Sequence, residues 1–225
     1  MHTLLLWDID GTLLLSGGAG ERALQVALRD AFGLTDSIAD IELAGRTDRW
    51  IARRVLGRFH LPETDESIAR YLDAYLNILA RELARPGGQI LPGVPEILAL
   101  LARRSDIAQG LLTGNLRRGA EIKLRAHGLW AHFPFGAFAD DAELRNDLGP
   151  HALRRAREHH GVAFPPDRVF VIGDTPHDIA CGQAIGARTI GVATGRYSVD
   201  DLRACRPTAV LPDLGDAAAF LAVIA

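Results

Sequence analysis

The chain has 225 residues, 48% of them hydrophobic and 24% charged, the proportions of an ordinary globular protein, which excludes collagen-like, disordered and coiled-coil readings. Its 25 Lys+Arg against 28 Asp+Glu leave a net charge of -3, no basic excess that would hold a polyanion, so nucleic acid is not expected as a partner. Two cysteines, Cys181 and Cys205, have no metal-type spacing and fit a reducing compartment.

The first element is a mostly apolar run, Thr3 to Ile9, with the texture of a strand buried on both faces. It is broken by Asp8 and Asp10, and no Lys or Arg precedes Arg22. Neither a signal peptide nor a membrane helix is expected there, and a cytoplasmic location is. The run ends in Asp8-Ile9-Asp10-Gly11-Thr12. Residues two apart on a strand share a face, so two carboxylates about 4 Å apart would repel by roughly 4 kcal/mol at an effective dielectric of about 20. A shared proton or a cation must offset that. Gly11 allows a tight turn or close approach to a ligand; a plain Asp-Gly turn is the competing explanation.

From about Gly17 to Arg85 only helical patterns occur: Glu21 to Phe32, Asp48 to Phe59 and Asp65 to Leu83. Gly-rich segments, Ser16-Gly17-Gly18 and Arg85-Pro86-Gly87-Gly88, flank them. The spacing predicts a helical insert over residues 16–87, leaving 1–15 and 88–225 as the α/β core. At the start of the second helix, Arg46 either pairs with a carboxylate or second phosphate or is a solvated arginine.

Beyond the insert, strands alternate with helices, which argues for βαβ units and a parallel sheet. Helical patterns cover Val94 to Arg104, Arg117 to His127 and His151 to His160. Strand runs cover Ile107 to Leu112, Arg168 to Ile172, Arg188 to Val192 and Thr208 to Leu211. Polar motifs sit at the carboxyl ends of these strands, where open α/β sheets bind ligands. Thr113-Gly114-Asn115 offers a hydroxyl, a turn and an amide suited to a phosphoryl oxygen. Gly173-Asp174-Thr175-Pro176-His177-Asp178 places Asp174 before a helix that Thr175 caps and Pro176 opens. Asp178 either completes a capping box or serves the site. A phosphate site this acidic also needs a cation. Arg145, just before a helix, is the first candidate, while Lys123 and the other arginines of that region remain open.

In this order and spacing the motifs resemble the haloacid dehalogenase superfamily, and the phosphoglycolate phosphatase-like members most. The resemblance covers nearly the whole chain. It implies a Rossmann-like core with helices on both faces and a helical cap inserted after the first strand. It also implies a Mg²⁺-dependent phosphatase acting on a small phosphorylated metabolite. In that scheme Asp8 forms an aspartyl-phosphate and Asp10 acts as general acid and base, with a pKa above that of Asp8. Mg²⁺ would take Asp8, the Asp10 carbonyl and Asp174, with Asp178 holding metal waters. Thr113 and Arg145 would carry the phosphoryl oxygens, with Gly11, Thr12, Gly114, Asn115 and Arg46 as substrate contacts. The family usually has lysine where Arg145-Asn146 stands here, and arginine would supply a planar fork instead of a point charge.

Asp10 separates this pattern from the dehalogenating members, which lack a second aspartate and a metal. Phosphonate hydrolysis by such proteins needs a cap lysine, and the single lysine, Lys123, lies outside the insert. A sugar-phosphate mutase and a non-catalytic phospho-ligand-binding module remain as alternatives, with a monomeric or homodimeric chain.

Overall fold

The computed structural model describes residues 2–225. The first strand, β1 (Thr3–Trp7), is five residues long and fully buried. It ends earlier than its apolar texture suggests, because Asp8 to Asp10 leave the ladder and Gly11 turns at φ 82°. A short ribbon follows: β2 (Leu14–Leu15) pairs antiparallel with β3 (Gln89–Ile90). Between these two strands lie three helices, α1 (Ala19–Phe32), α2 (Asp48–Arg58) and α3 (Asp65–Leu83).

The three helices share one apolar cluster. Ala23, Ala27 and Leu28 of α1 meet Ile51 and Val55 of α2 and Ile68, Leu72, Tyr75 and Leu79 of α3. The steps of three and four residues along α3 put one stripe against its neighbours. Thr47 and Thr64 accept hydrogen bonds from Trp50 and Ser67 N–H groups at 3.1 and 3.2 Å, caps worth about 1 kcal/mol each. The chain enters and leaves this unit side by side. A Cβ placed on Gly17 would lie 2.5 Å from the carbonyl carbon of Gly87.

The rest of the chain forms α4 (Val94–Leu101), β4 (Ile107–Leu112), α5 (Arg117–Ala126), β5 (Gly136–Ala137), α6 (Leu148–His160), β6 (Val169–Gly173), α7 (Pro176–Ala184), β7 (Arg188–Val192), α8 (Val199–Ala204), β8 (Ala209–Leu211) and α9 (Ala217–Ile224). Six strands make one parallel sheet in the order β5-β4-β1-β6-β7-β8. Alternation along β1 builds both faces. Leu5 and Trp7 pack with Val94, Ala120 and Phe220, from α4, α5 and α9. Leu4 and Leu6 pack with Leu148, Ala152 and Cys181, from α6 and α7. The sheet is therefore Rossmann-like, with helices on both faces.

Strand order reverses at β1: β4 follows on one side and β6 on the other. The crevice beyond their carboxyl ends is the switch point where such sheets bind ligands. Among the described residues no helix is long and apolar enough to cross a membrane.

Candidate active site

Four loops meet at this switch point. The one after β1 carries Asp8, whose N–H donates to the Ile172 carbonyl of β6 at 2.9 Å, and Asp10, half-buried at the rim. The loop after β4 carries Thr113, Gly114 and Asn115. Asp174 to Asp178 follow β6, and Ala193 to Gly195 follow β7. Glycines permit the closeness: a Cβ on Gly11 would lie 2.3 Å from Asp174 Oδ2, and one on Gly195 only 1.7 Å from it.

The carboxylates of Asp8, Asp174 and Asp178 are all buried, with one oxygen of each inside a 4.8 Å triangle. Arg145 reaches them from a 3-10 turn, Arg145–Asp147, before α6. Its Nη2 donates to Asp8 Oδ1 at 2.8 Å and also to Asp178 Oδ1. It is a buried residue rather than a loop arginine in solvent, and Nη1 donates to the Gly45 carbonyl at 3.2 Å. Burial works against its charge, but Asp178 and Asp8 outweigh it and raise its pKa.

Asp10 has a different cation. Lys123 of α5 donates to Asp10 Oδ2 and to Asn115 Oδ1, both at 2.6 Å. Asn115 Nδ2 completes the triangle, donating to Asp10 Oδ2 and Thr113 Oγ1 at 2.9 Å. The repulsion expected between Asp8 and Asp10 is thus met by two protein cations, one for each acid.

These environments reverse the expected order of acidities. Burial, helped by Asp178 and Asp10, pushes Asp8 up to about 6 against the pull of Arg145. Burial also opposes ionisation of Asp10, but Lys123 and its hydrogen bond, with Asn115 and Ser16, hold it below the usual carboxylate range. Asp174 is pushed up to about 9 by burial and by its neighbours Asp178 and Asp8. In this electrostatic setting Asp8, not Asp10, is the weaker acid. The physical reason is the lysine on Asp10.

Both readings of Asp178 hold at once. Its Oδ2 accepts the Thr175 N–H at 3.0 Å and hydroxyl at 2.7 Å, closing a capping box on α7, while Oδ1 meets Arg145. Thr12 turns its hydroxyl toward Asp174 at 3.5 Å. Thr113 is buried and holds Asn115. Arg46 lines the cavity, but its fork is occupied: Nε and Nη2 both donate to Glu42 Oε2, at 2.8 and 2.6 Å, and it lies over the Trp50 ring at 4.3 Å.

Two further groups stand here: Asp48, on the Gly45-Arg46-Thr47-Asp48 segment expected to face substrate but given no role of its own, and Thr194, which carried no signal in the sequence. Asp48, the first residue of α2, is buried in the cavity wall and accepts the Leu116 N–H at 2.7 Å; burial raises it to about 6. Thr194 donates to the Gly11 carbonyl at 2.6 Å, fixing the turn that carries Asp10. Together these loops enclose a cavity of about 250 Å³, open on one side and walled by Leu24, Leu43, Ile51 and Tyr75 from the helical unit.

Residues 5–183 match the family model described as haloacid dehalogenase-like hydrolase, and the chain belongs to that family. The chain is 27% identical over 216 residues to the Dickeya dadantii protein named "Probable phosphatase IndB", covering 94% of this chain and 90% of that one. It is 27% identical over 223 residues to a phosphoglycolate phosphatase of Rhodospirillum rubrum, covering 96% of this chain and 90% of the relative. In fold it is similar to CbbY of Rhodobacter sphaeroides, solved in complex with phosphate, with a TM-score of 0.77 at 21% identity over 96% of each chain.

Proposed function

We propose that the chain is a divalent-metal-dependent phosphatase, a phosphoric monoester hydrolase for a small phosphorylated metabolite. The carrying observation is the buried triangle of Asp8, Asp174 and Asp178 beside Arg145, at the switch point of the sheet and facing a cavity of about 250 Å³.

The donor set fits Mg²⁺. Three carboxylates converge where one guanidinium serves only two of them, and burial holds Asp174 up at about 9, so a divalent cation would relieve the excess negative charge. Asp8, Asp174 and the Asp10 carbonyl would hold the ion, with Asp178 bonding its waters. When bound, it would supply positive charge to a phosphoryl oxygen and lower the pKa values of the carboxylates around it.

The remaining chemistry falls to side chains. An Asp8 oxygen attacks phosphorus as the bond to the leaving oxygen breaks, giving an aspartyl-phosphate and an alcohol. Asp10 supplies the proton that makes the departing alkoxide that alcohol, then takes one from the water that attacks phosphorus as the bond to the Asp8 oxygen breaks, releasing inorganic phosphate and restoring Asp8. For this, Asp10 must be protonated on substrate binding. A dianionic phosphate near Lys123 would weaken the lysine's hold on it. Thr113, Arg145 and the amides near Gly11 and Gly114 would steady the non-bridging oxygens. The helical unit, residues 16–87, would act as the cap that excludes water.

The test is phosphate release from a panel of phosphomonoesters, phosphoglycolate among them, with Mg²⁺ and with EDTA. Metal-dependent release that Asp8→Asn abolishes is expected. Release unaffected by EDTA or by that substitution would overturn the reading.

A further inference from the structure

The cavity that receives the phosphate also receives the rest of the substrate, and its charges are unequal. Among the described residues, three cations line it, and each already serves a carboxylate: Lys123 serves Asp10, Arg145 serves Asp8, and Arg46 serves Glu42. Two further lining acids, Glu21 and Asp48, add negative charge. The remaining wall is apolar, from Leu24, Leu43, Ile51 and Tyr75.

Arg46 is the lining cation bonded to none of Asp8, Asp10 and Asp178, and Glu42 takes its Nε and Nη2. The pair lies in the loop before α2, and Glu42 is itself braced from the core: Oε1 lies 3.3 Å from His177 Nε2, on the first turn of α7. The loop cannot drift away, because the Asp48 N–H donates to the Gly114 carbonyl at 2.7 Å. A Cβ on Gly114 would lie 2.1 Å from the Arg46 carbonyl oxygen. Glu42 is thus a built-in competitor for any anion that Arg46 would otherwise bind.

Resting on the phosphatase reading, we infer that Glu42 sets specificity by occupying Arg46, so that the site selects phosphomonoesters of compact, uncharged alcohols over those whose leaving group carries a carboxylate or second phosphate. A second anion would have to displace Glu42 from Arg46 in a cavity that Asp48 and Glu21 also line. An apolar or hydroxylated leaving group meets neither obstacle, and Leu24, Leu43 and Ile51 give it surface to bury against. Discrimination of this kind works through a repulsive element as much as an attractive one. Glu42 acts through Arg46 and is a positioning residue.

Isobutyl phosphate and phosphoglycolate test this directly, because their leaving groups have the same branched shape and differ in charge. With Mg²⁺, the unmodified protein is expected to favour isobutyl phosphate in kcat/KM by at least about tenfold, the scale of a like-charge contact at a half-exposed pair. Glu42→Gln frees Arg46 and should move the ratio toward phosphoglycolate by about tenfold or more, mainly through KM for the anionic ester. Adding Arg46→Met to Glu42→Gln should cancel that move. The readout is a ratio between two esters, which a general loss of structure leaves unchanged. Hydrolysis of both esters with phosphoglycolate preferred, or a ratio that Glu42→Gln leaves in place, overturns the inference and leaves the phosphatase standing. Failure to hydrolyse these esters or p-nitrophenyl phosphate overturns both.

Discussion

Lys123 meets Asp10 across 113 positions of sequence, Nζ to Oδ2 at 2.6 Å, and it is the single lysine in the chain. Its amine is buried on α5 and bonded on its other side to Asn115. The arrangement makes the acidity of Asp10 a property of three segments together: the loop after β1, the loop after β4, and the helix that follows.

Replacing Lys123 tests that coupling. Lys123→Met removes the cation that holds Asp10 low, so the Asp10 pKa rises toward and past its ordinary value. Because Asp10 must be protonated to act as the acid, the alkaline limb of kcat/KM against pH should move upward. The expected measurement is a pH–rate profile for both proteins with saturating Mg²⁺. Coincident alkaline limbs would show that Lys123 does not set the acidity of the catalytic acid.

Arg145 predicts a split between charge and geometry. Arg145→Ala leaves two buried carboxylates unpaired and should destabilise the fold by about 3–5 kcal/mol, read from urea denaturation. Arg145→Lys keeps the charge for Asp8 and Asp178, which both bond one nitrogen, Nη2, but loses the planar fork whose other nitrogen holds the Gly45 carbonyl. It should retain most of the stability while kcat falls by at least about tenfold. Equal kcat for the lysine variant would mean that charge alone suffices.

Stability without metal should run against the usual direction with pH. Asp8 and Asp48 sit up at about 6 and Asp174 at about 9, all above the unfolded value of about 3.9. The folded protein therefore binds more protons than the unfolded chain in that window, and stability falls as pH rises. The stabilising contribution is full below pH of about 4, is lost from Asp8 and Asp48 through about 6, and from Asp174 through about 9. Thermal melts in EDTA from pH 5 to about 9 should show Tm falling, and Mg²⁺ should raise Tm most at the alkaline end. A flat or rising Tm in EDTA would contradict the burial of these acids.

Asp48→Asn isolates one part of that slope. Asparagine keeps an acceptor for the Leu116 N–H and removes the charge that burial opposes. The variant should be at least as stable at pH 8 and should show a shallower decline between pH of about 4 and 6. A loss above about 2 kcal/mol would mean that the ionised carboxylate is required for the fold.

Much of this site was legible because parallel strands write themselves as short apolar runs with polar residues at their ends. Asp8, Thr113 and Asp174 follow such runs directly. The helices of the insert were legible from the stripe of Ile68, Leu72, Tyr75 and Leu79. The ribbon of β2 and β3 and the strand β5 were not, since two residues carry no periodicity; β5 exists through its pairing with Leu111 and Leu112. Lys123 could be named as a candidate but not chosen, because its position on a helical pattern gives no bearing on which loop it faces. The grip of Glu42 on Arg46 was hidden for a related reason. The two lie four residues apart in a segment without helix, where spacing implies no contact.

The two oxygens of Asp178 face different masters. One completes the first turn of α7 through Thr175, and the other receives Arg145. A single side chain thus acts as a rivet between the start of a helix and the charge balance of the cavity. The cavity cannot be retuned at this position without loosening a structural joint, and the joint cannot be reshaped without moving charge in the cavity. Variation that changes what this protein acts on has to enter elsewhere, through residues such as Glu42 that reach the cavity only through a neighbour, Arg46, without carrying the frame.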